Sequence, residues 1–458
     1  MFDFIGRPVR AVLPTAVLTF ALTAVATASH ADPALAPQVL GYGWGVNGSG
    51  QLGDDKPIDH RVPTTLPGLP SDTRRIVGGA EFAIALLADT TVATWGANYA
   101  GQLGDGTTEP RSMPVRLPGL SGIVQVSAGD FHVLALDSGG DVWAWGDNVR
   151  GQLGDGTTVG HPAPEKVPGL TGFVQVSAGS RFSLGLRADG TVWAWGANDS
   201  GQLGDGTQQD SAYPHRVADL GDVTQVAGAF GGQHSLALRS DGTVWGWGGN
   251  YFGQLGDGRV VDTVLAPVQA VGLAGVSQIV AGEGSSLALA GGRVWTWGGN
   301  YFGQLGDGTF NDHPSPIQLA LLGVTQISTG YSQSAAVLAD GTVRSWGANF
   351  HGEVGSWSTD TFVPAPASVR GLTSVASVAP GFGFDLALVT PRQPTVLLVP
   401  DVTGTSVGDA FQRLRSAGLF GLRVDKDRDC TRVVSQNPRP GARTSLGSVV
   451  TVHVAVDC

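Results

Sequence analysis

Short runs in which apolar and polar residues alternate recur from Val39 to Thr390, separated by clusters of Gly, Asp and Asn. Alternation with a period of two is the signature of a half-buried strand, one set of side chains facing a core and the other facing water. In and just before the stretch Val126–Gly156, which reads VSAGDFHVLALDSGGDVWAWGDNVRGQLGDG, strands are predicted at Val124–Val126, Val133–Leu136 and Val142–Trp145. The Ala-Gly and Ser-Gly-Gly-Asp clusters between them supply the positive φ that tight reversals need. Pro-Gly-Leu segments at Pro118–Leu120 and Pro168–Leu170 bound a fourth, less regular strand, because proline is confined to sheet edges and strand starts. Each unit is therefore predicted to be a small antiparallel sheet.

Seven Trp-Gly pairs set the period: Trp44, Trp95, Trp145, Trp195, Trp247, Trp297 and Trp346, at steps of 51, 50, 50, 52, 50 and 49 residues. Units of this size cannot bury their apolar faces alone and must stack on neighbours. The first unit lacks the early strands and opens directly at Val39–Gly45, whereas the last stops after Val378–Leu388 without a Trp-Gly. Two complementary fragments and six whole units make seven. The predicted fold is all-β, a seven-bladed β-propeller over 38–390, with residues near Val39–Gly45 pairing beside Phe384–Leu388 to close the ring.

The motif WG-x-N-x-x-GQLGDG, complete or nearly so at Trp95, Trp145, Trp195, Trp247 and Trp297, resembles the regulator of chromosome condensation repeat. Members of that family form seven-bladed propellers, and the resemblance covers Val39 to Val389. Trp44 and Trp346 depart from it, with Asp-Asp after Gly53 and Glu353-Val354 in place of Gln-Leu.

Two segments are not blades. Residues 1–31 read as a secretory signal: Arg7 and Arg10, an apolar run from Ala11 to Ala28, then Ser29-His30-Ala31 as a small-x-small cleavage site. The run contains Pro14 and several Thr and falls short of the roughly 20 strongly apolar residues of a membrane span, so cleavage and no remaining span are expected. After a linker at 391–395, helical spacing begins at Ser406–Leu419, with Gly418 as its stop, followed by strands at Leu422–Val424, Arg432–Ser435 and Ser448–Val454. The order VPDVTG, helix, GL, VVSQNPRPG and GSVVTVHV over 396–458 resembles a small α+β PASTA domain, the module appended to penicillin-binding proteins and bacterial serine/threonine kinases. That resemblance implies peptidoglycan binding and a secreted or cell-wall-associated bacterial protein. Cys430 and Cys458 both fall in this segment. In an exported chain a lone pair near neighbouring strands is expected to be a disulfide rather than a metal or redox site, stabilising the module by roughly 3 kcal/mol.

Charge narrows the partners. The chain carries a net −11, split unevenly: the segment from Pro391 onward is +3 and the propeller −15. Readers of nucleic acid draw most of their affinity from phosphate neutralisation by a basic surface. No nucleic-acid partner is expected, and the nucleotide-exchange role of the family's eukaryotic members is disfavoured on the same ground. A basic tail suits anionic wall polymers.

Individual motifs have mundane readings. Gly404-Thr405-Ser406-Val407-Gly408 matches the G-x-S-x-G of serine hydrolases but precedes a helix without a strand, so the hydroxyl is expected to cap that helix. Gly48–Gly53 matches a dinucleotide fingerprint without the βαβ unit it requires. Asp54, Asp105, Asp155, Asp205, Asp257 and Asp307 give one carboxylate per unit, an Asp-Gly turn rather than a converging calcium site. His132 and His234 share a repeat position held elsewhere by Phe82, Phe182, Ser285, Gln333 and Phe384, which points to packing. The pairs Trp143/Trp145, Trp193/Trp195, Trp245/Trp247 and Trp295/Trp297 are expected to pack between blades. No enzyme activity, cofactor, metal or catalytic residue is predicted.

Antiparallel strands put the Ala-Gly loops and the N-x-x loops at one end of the propeller. Variable residues there form the candidate rim: Tyr99, Phe131, Arg181, Phe230, Tyr251, Phe252, Tyr301, Phe302, Tyr331, Phe350 and Phe382. Exposed aromatic residues are enriched at binding hot spots. The expected function is a monomeric, wall-associated binding protein whose rim holds a protein or glycan and whose PASTA tail is an anchor. An inhibitor resembling the propeller-type β-lactamase inhibitors, an exchange factor and a wall-glycan enzyme are the alternatives.

Overall fold

The computed structural model describes residues 39–390, 397–417, 419–423, 432–444 and 449–454. The leader, the linker, both cysteines and Gly418 lie outside the described residues. Residues 39–390 form seven four-stranded antiparallel sheets. The first complete blade is Thr73–Gly78, Phe82–Leu87, Val92–Gly96 and Arg111–Arg116, and the second is Ile123–Ala128, His132–Asp137, Val142–Gly146 and His161–Lys166. Proline falls on the half-exposed outermost strand, at Pro114, Pro162 and Pro164, where no ladder partner is lost. Innermost strands line a central channel, and the cores lie between blades: Phe82, Ile84 and Leu86 of one pack on Val126, Val133 and Trp145 of the next.

The expected closure is present. Leu40–Gly45 pairs along its whole length with Phe384–Val389, from Leu40 opposite Val389 to Gly45 opposite Phe384, and His60–Thr65 and Val375–Pro380 complete that blade.

One interaction recurs at every seam. The indole Nε1 of Trp195 donates to the Gln152 carbonyl of the preceding blade at 2.9 Å. Trp95 does so to Gln51, Trp145 to Gln102, Trp247 to Gln202, Trp297 to Gln254, Trp346 to Gln304 and, across the closure, Trp44 to Glu353, at 2.7 to 2.9 Å. All seven indoles are wholly buried. Gly154 provides the socket: its φ is +78°, and a Cβ there would come within 2.8 Å of the Trp195 nitrogen. Thus the GQLG of each repeat receives the tryptophan of the next, and the two halves of the sequence motif are complementary surfaces of adjacent blades.

Four blades add a second donor. Ser183, Ser235, Ser286 and Ser334 donate through Oγ to the same carbonyls, at Gln152, Gln202, Gln254 and Gln304. The closing blade has Asp385 at this position, opposite Trp44, fully buried with neither carboxyl oxygen hydrogen-bonded. Burial, reinforced by the neighbouring Glu353 carboxylate, pushes the Asp385 carboxyl well above its ordinary range. A belt of glutamines around the channel likewise stops near this blade. Gln125, Gln175, Gln225 and Gln278 each bridge to the next blade's backbone in both directions, whereas the Oε1 of Gln326, facing the closing blade, has no partner.

In the C-terminal segment, Val407–Ser416 is helical and Ser406 Oγ accepts the Asp409 N–H at 3.1 Å, the cap expected in place of a nucleophile. Phe420–Arg423 runs parallel to Val449–Val454, which pairs antiparallel with Val433–Asn437. Val399, Val402, Ala410, Leu414, Leu419, Val433, Val450 and Val452 form its core.

Two outcomes follow from the seams. Trp95→Phe leaves the Gln51 carbonyl buried without a donor, whereas in Trp195→Phe Ser183 still serves Gln152. Urea unfolding is expected to show Trp95→Phe the more destabilised by about 1–2 kcal/mol, and equal losses would contradict the clasp. Asp385 holds a raised folded pKa, so its stabilising effect is complete below the unfolded carboxylate value and is lost as pH rises towards the folded one, by about 1.4 kcal/mol per pH unit between them. Asp385→Ser is expected to be more stable than the parent at neutral pH and no more stable at acid pH, as read from melting temperatures across that range.

Candidate binding rim

The two loop families do share one end. The N-x-x loop of a blade starts hydrogen-bonded to its Ala-Gly loop, as in Asp147 N–H to the Phe131 carbonyl at 2.9 Å and Ala97 N–H to that of Glu81 at 2.8 Å. Around the channel mouth the inner loops are also joined backbone to backbone: Ala80 to Asp130, Asp130 to Ser180, Ser180 to Ala229 and Phe382 to Gly79. Loops tied to neighbours on both sides hold their side chains in fixed places.

Most of the motif's repeated polarity is consumed in bracing these loops. Asn98 accepts the Leu103 N–H at 2.9 Å and donates to the Glu109 carbonyl at 2.9 Å. Gln102 accepts the Ala100 N–H at 2.9 Å. Asp105 accepts from Thr107 N–H and Oγ1 on one oxygen and from Arg111 on the other at 2.8 to 3.0 Å. Burial raises its carboxyl, but these hydrogen bonds outweigh burial and hold it below the usual carboxylate range. His60, His161 and His313 play the part of Arg111 for Asp54, Asp155 and Asp307, at 2.7, 2.8 and 3.0 Å. The repeated carboxylates are thus turn braces. His132 and His234 are wholly buried, each meeting a serine of the next blade, Ser183 at 3.0 Å and Ser286 at 2.9 Å, with burial pushing both imidazoles down to about 3. They are neutral packing groups.

What is left at this end is aromatic, and it is unevenly distributed. Phe302 lies at the hub of a cluster, 5.0 Å from Tyr301, 6.0 Å from Phe350 and 5.7 Å from Phe362, centroid to centroid. Phe362 in turn meets Phe350 at 5.4 Å and Phe310 at 6.1 Å. Phe252 lies against Gly284 and Gly299, where a Cβ would stand 3.1 to 3.2 Å from its ring. Tyr251, Phe252, Phe310 and Phe350 are exposed, Tyr301 most of all at 75%. A second, separate pair nearer the channel joins Tyr331 to Phe382 at 4.6 Å. Phe310 and Phe362 were missed in the sequence. Phe310 was legible as the odd residue in the GDG-T-x position, filled by Thr108, Thr158 and Gln208 in other units.

The remaining candidates stand apart. Phe230 is 8% exposed and lines the channel, so its ring is withdrawn from the rim. Tyr99 is exposed beside Ser49, their hydroxyls 3.3 Å apart. Arg181 is exposed and Phe131 half-buried, in a sector whose Arg150 is tied to Asp199 and Asp210.

Known proteins give this arrangement a family. A profile of the RCC1-like domain matches residues 41–389, three-quarters of the chain. The chain belongs to the RCC1-like domain family. A PASTA domain profile matches residues 398–456. Among relatives, the Arabidopsis thaliana ultraviolet-B receptor UVR8 is 31% identical over 235 residues, covering 50% of this chain and 53% of that protein. The human E3 ubiquitin-protein ligase HERC2 is 35% identical over 105 residues, 22% of this chain and 2% of that protein. The chain therefore spans at most about half the length of these relatives. The Saccharomyces cerevisiae Prp20p structure superposes with a TM-score of 0.70 at 24% identity, covering 83% of this chain and 95% of that one, which supports the propeller fold. No described helix is long and apolar enough to cross a membrane.

The packing separates rings that hold the RCC1-like domain together from rings free for a partner. Phe302→Ala is expected to cost about 2 kcal/mol through loss of four-ring packing, and Tyr301→Ala under about 0.5 kcal/mol. Urea midpoints of the two variants check this, and a Tyr301→Ala loss as large as that of Phe302→Ala would contradict it.

Proposed function

We propose that this is an exported, wall-associated, non-enzymatic binding protein, its RCC1-like domain engaging a protein partner through the aromatic rim and its PASTA domain attaching to peptidoglycan. The observation that carries the proposal is the exposed set of Tyr251, Tyr301, Phe310 and Phe350, the last three in one ring cluster, on loops braced by Asn250, Asn300 and Asn349. Large rigid rings lose little conformational freedom when a partner covers them, which is why they dominate binding energy. Export is supported by the composition of residues 1–31, attachment by the PASTA match and the basic balance of the tail. An acidic propeller weighs against nucleic acid.

Sedimentation with purified peptidoglycan, comparing the full chain with one ending at Thr390, tests the anchor. The full chain is expected to be retained and the shortened one to stay in solution; equal behaviour removes the anchor from the account.

A further inference from the structure

Between Phe252 and the Phe302 hub the rim is not flat but hollow. A cavity of about 660 Å³ opens there, walled by Phe252, Tyr301, Phe302 and Phe310 and carrying the carboxylates of Glu283 and Asp312, with no Lys, Arg or His in its lining. Asp312 is fixed by the Asn300 N–H, which its Oδ1 accepts at 2.7 Å. Glu283 is fixed by the Ser332 hydroxyl at 3.2 Å and by the phenol of Tyr331. Burial raises the Glu283 carboxyl above its usual range and lifts the Tyr331 phenol to about 12, so negative charge here is left under-compensated.

Four aromatic walls and two carboxylates without a counter-ion are what an organic cation requires. The ring faces attract a positive head through their quadrupoles, the carboxylates supply charge and hydrogen-bond acceptors, and the walls cover the aliphatic stem. We propose that this cavity is the specificity pocket of the rim and receives the guanidinium or ammonium head of an Arg or Lys projecting from the partner protein. The net −15 of the propeller draws a basic surface towards it, and the pocket fixes one side chain of that surface in register.

The inference rests on the rim being a protein-binding surface, and its test is independent of the anchor and of the partner's identity. A hexa-arginine peptide is titrated calorimetrically into the full chain at moderate salt, with hexaglutamate as the control. Binding of hexa-arginine alone is expected. The double variant Tyr301→Ala/Phe310→Ala changes no charge and removes two exposed rings, and it is expected to weaken binding about 5- to 30-fold. Glu283→Gln is expected to weaken it by a similar factor, and Tyr99→Ala, in another sector, to leave it unchanged. Thermal melts of each variant verify folding. Affinity unaltered in the double variant would reduce the attraction to diffuse charge and overturn the pocket, as would no binding at all. Either result leaves the peptidoglycan experiment and the remainder of the rim standing.

Discussion

The whole architecture depends on a single clasp, the tryptophan of one blade donating its indole N–H to the backbone of the blade before it. Sheets of this size are too small to be stable alone, so the energy must lie in the seams. A buried carbonyl left without a donor costs more than an ordinary hydrogen bond contributes. That asymmetry makes each seam specific as well as sticky, because a slipped blade would strand both an indole and a carbonyl in an apolar core. A glycine of positive φ is the only residue that leaves room for the ring on the receiving side.

Those constraints explain why so much of the fold was legible in sequence. The Trp-Gly step gave the repeat and the incomplete first and last units gave the closure, because both are consequences of local composition. The pairing of Leu40–Gly45 with Phe384–Val389 follows from counting strands. What sequence did not reveal was which repeated side chains are occupied. Asp105 and its equivalents look like a carboxylate array on paper, but each is bound within its own loop, in four blades by a threonine two residues on, and in several by an arginine or histidine six residues on. Phe230 looked like a rim residue because its loop is at the rim; that loop is two residues longer than its counterparts, and the Phe230 ring lines the channel. Phe310 lies just after a Gly-Asp-Gly turn and Phe362 at the start of an outermost strand, and only the three-dimensional return of the chain brings them beside Phe302 and Phe350.

The seams are not equal, and the closure is among those without the second donor. Four neighbouring blades share a second serine donor to the clasped carbonyl, and the glutamine belt spans four successive seams. The blade assembled from both chain ends has an unpartnered Asp385 beside Glu353. The aromatic rim around Phe252, Phe302 and Phe350 spans seams tied by Ser286, Ser334 and Gln278 and ends at Phe350, on the loop that clasps Trp44 of the closing blade.

The central claim is that the chain is a closed ring held by its own ends, and amide hydrogen exchange tests it most directly. The account predicts that Leu40–Gly45 and Phe384–Val389 exchange on the timescale of an uninterrupted blade such as Val142–Gly146 with His132–Asp137. Exchange of Leu40–Gly45 at the rate of an unstructured segment, with the other blades protected, would contradict it.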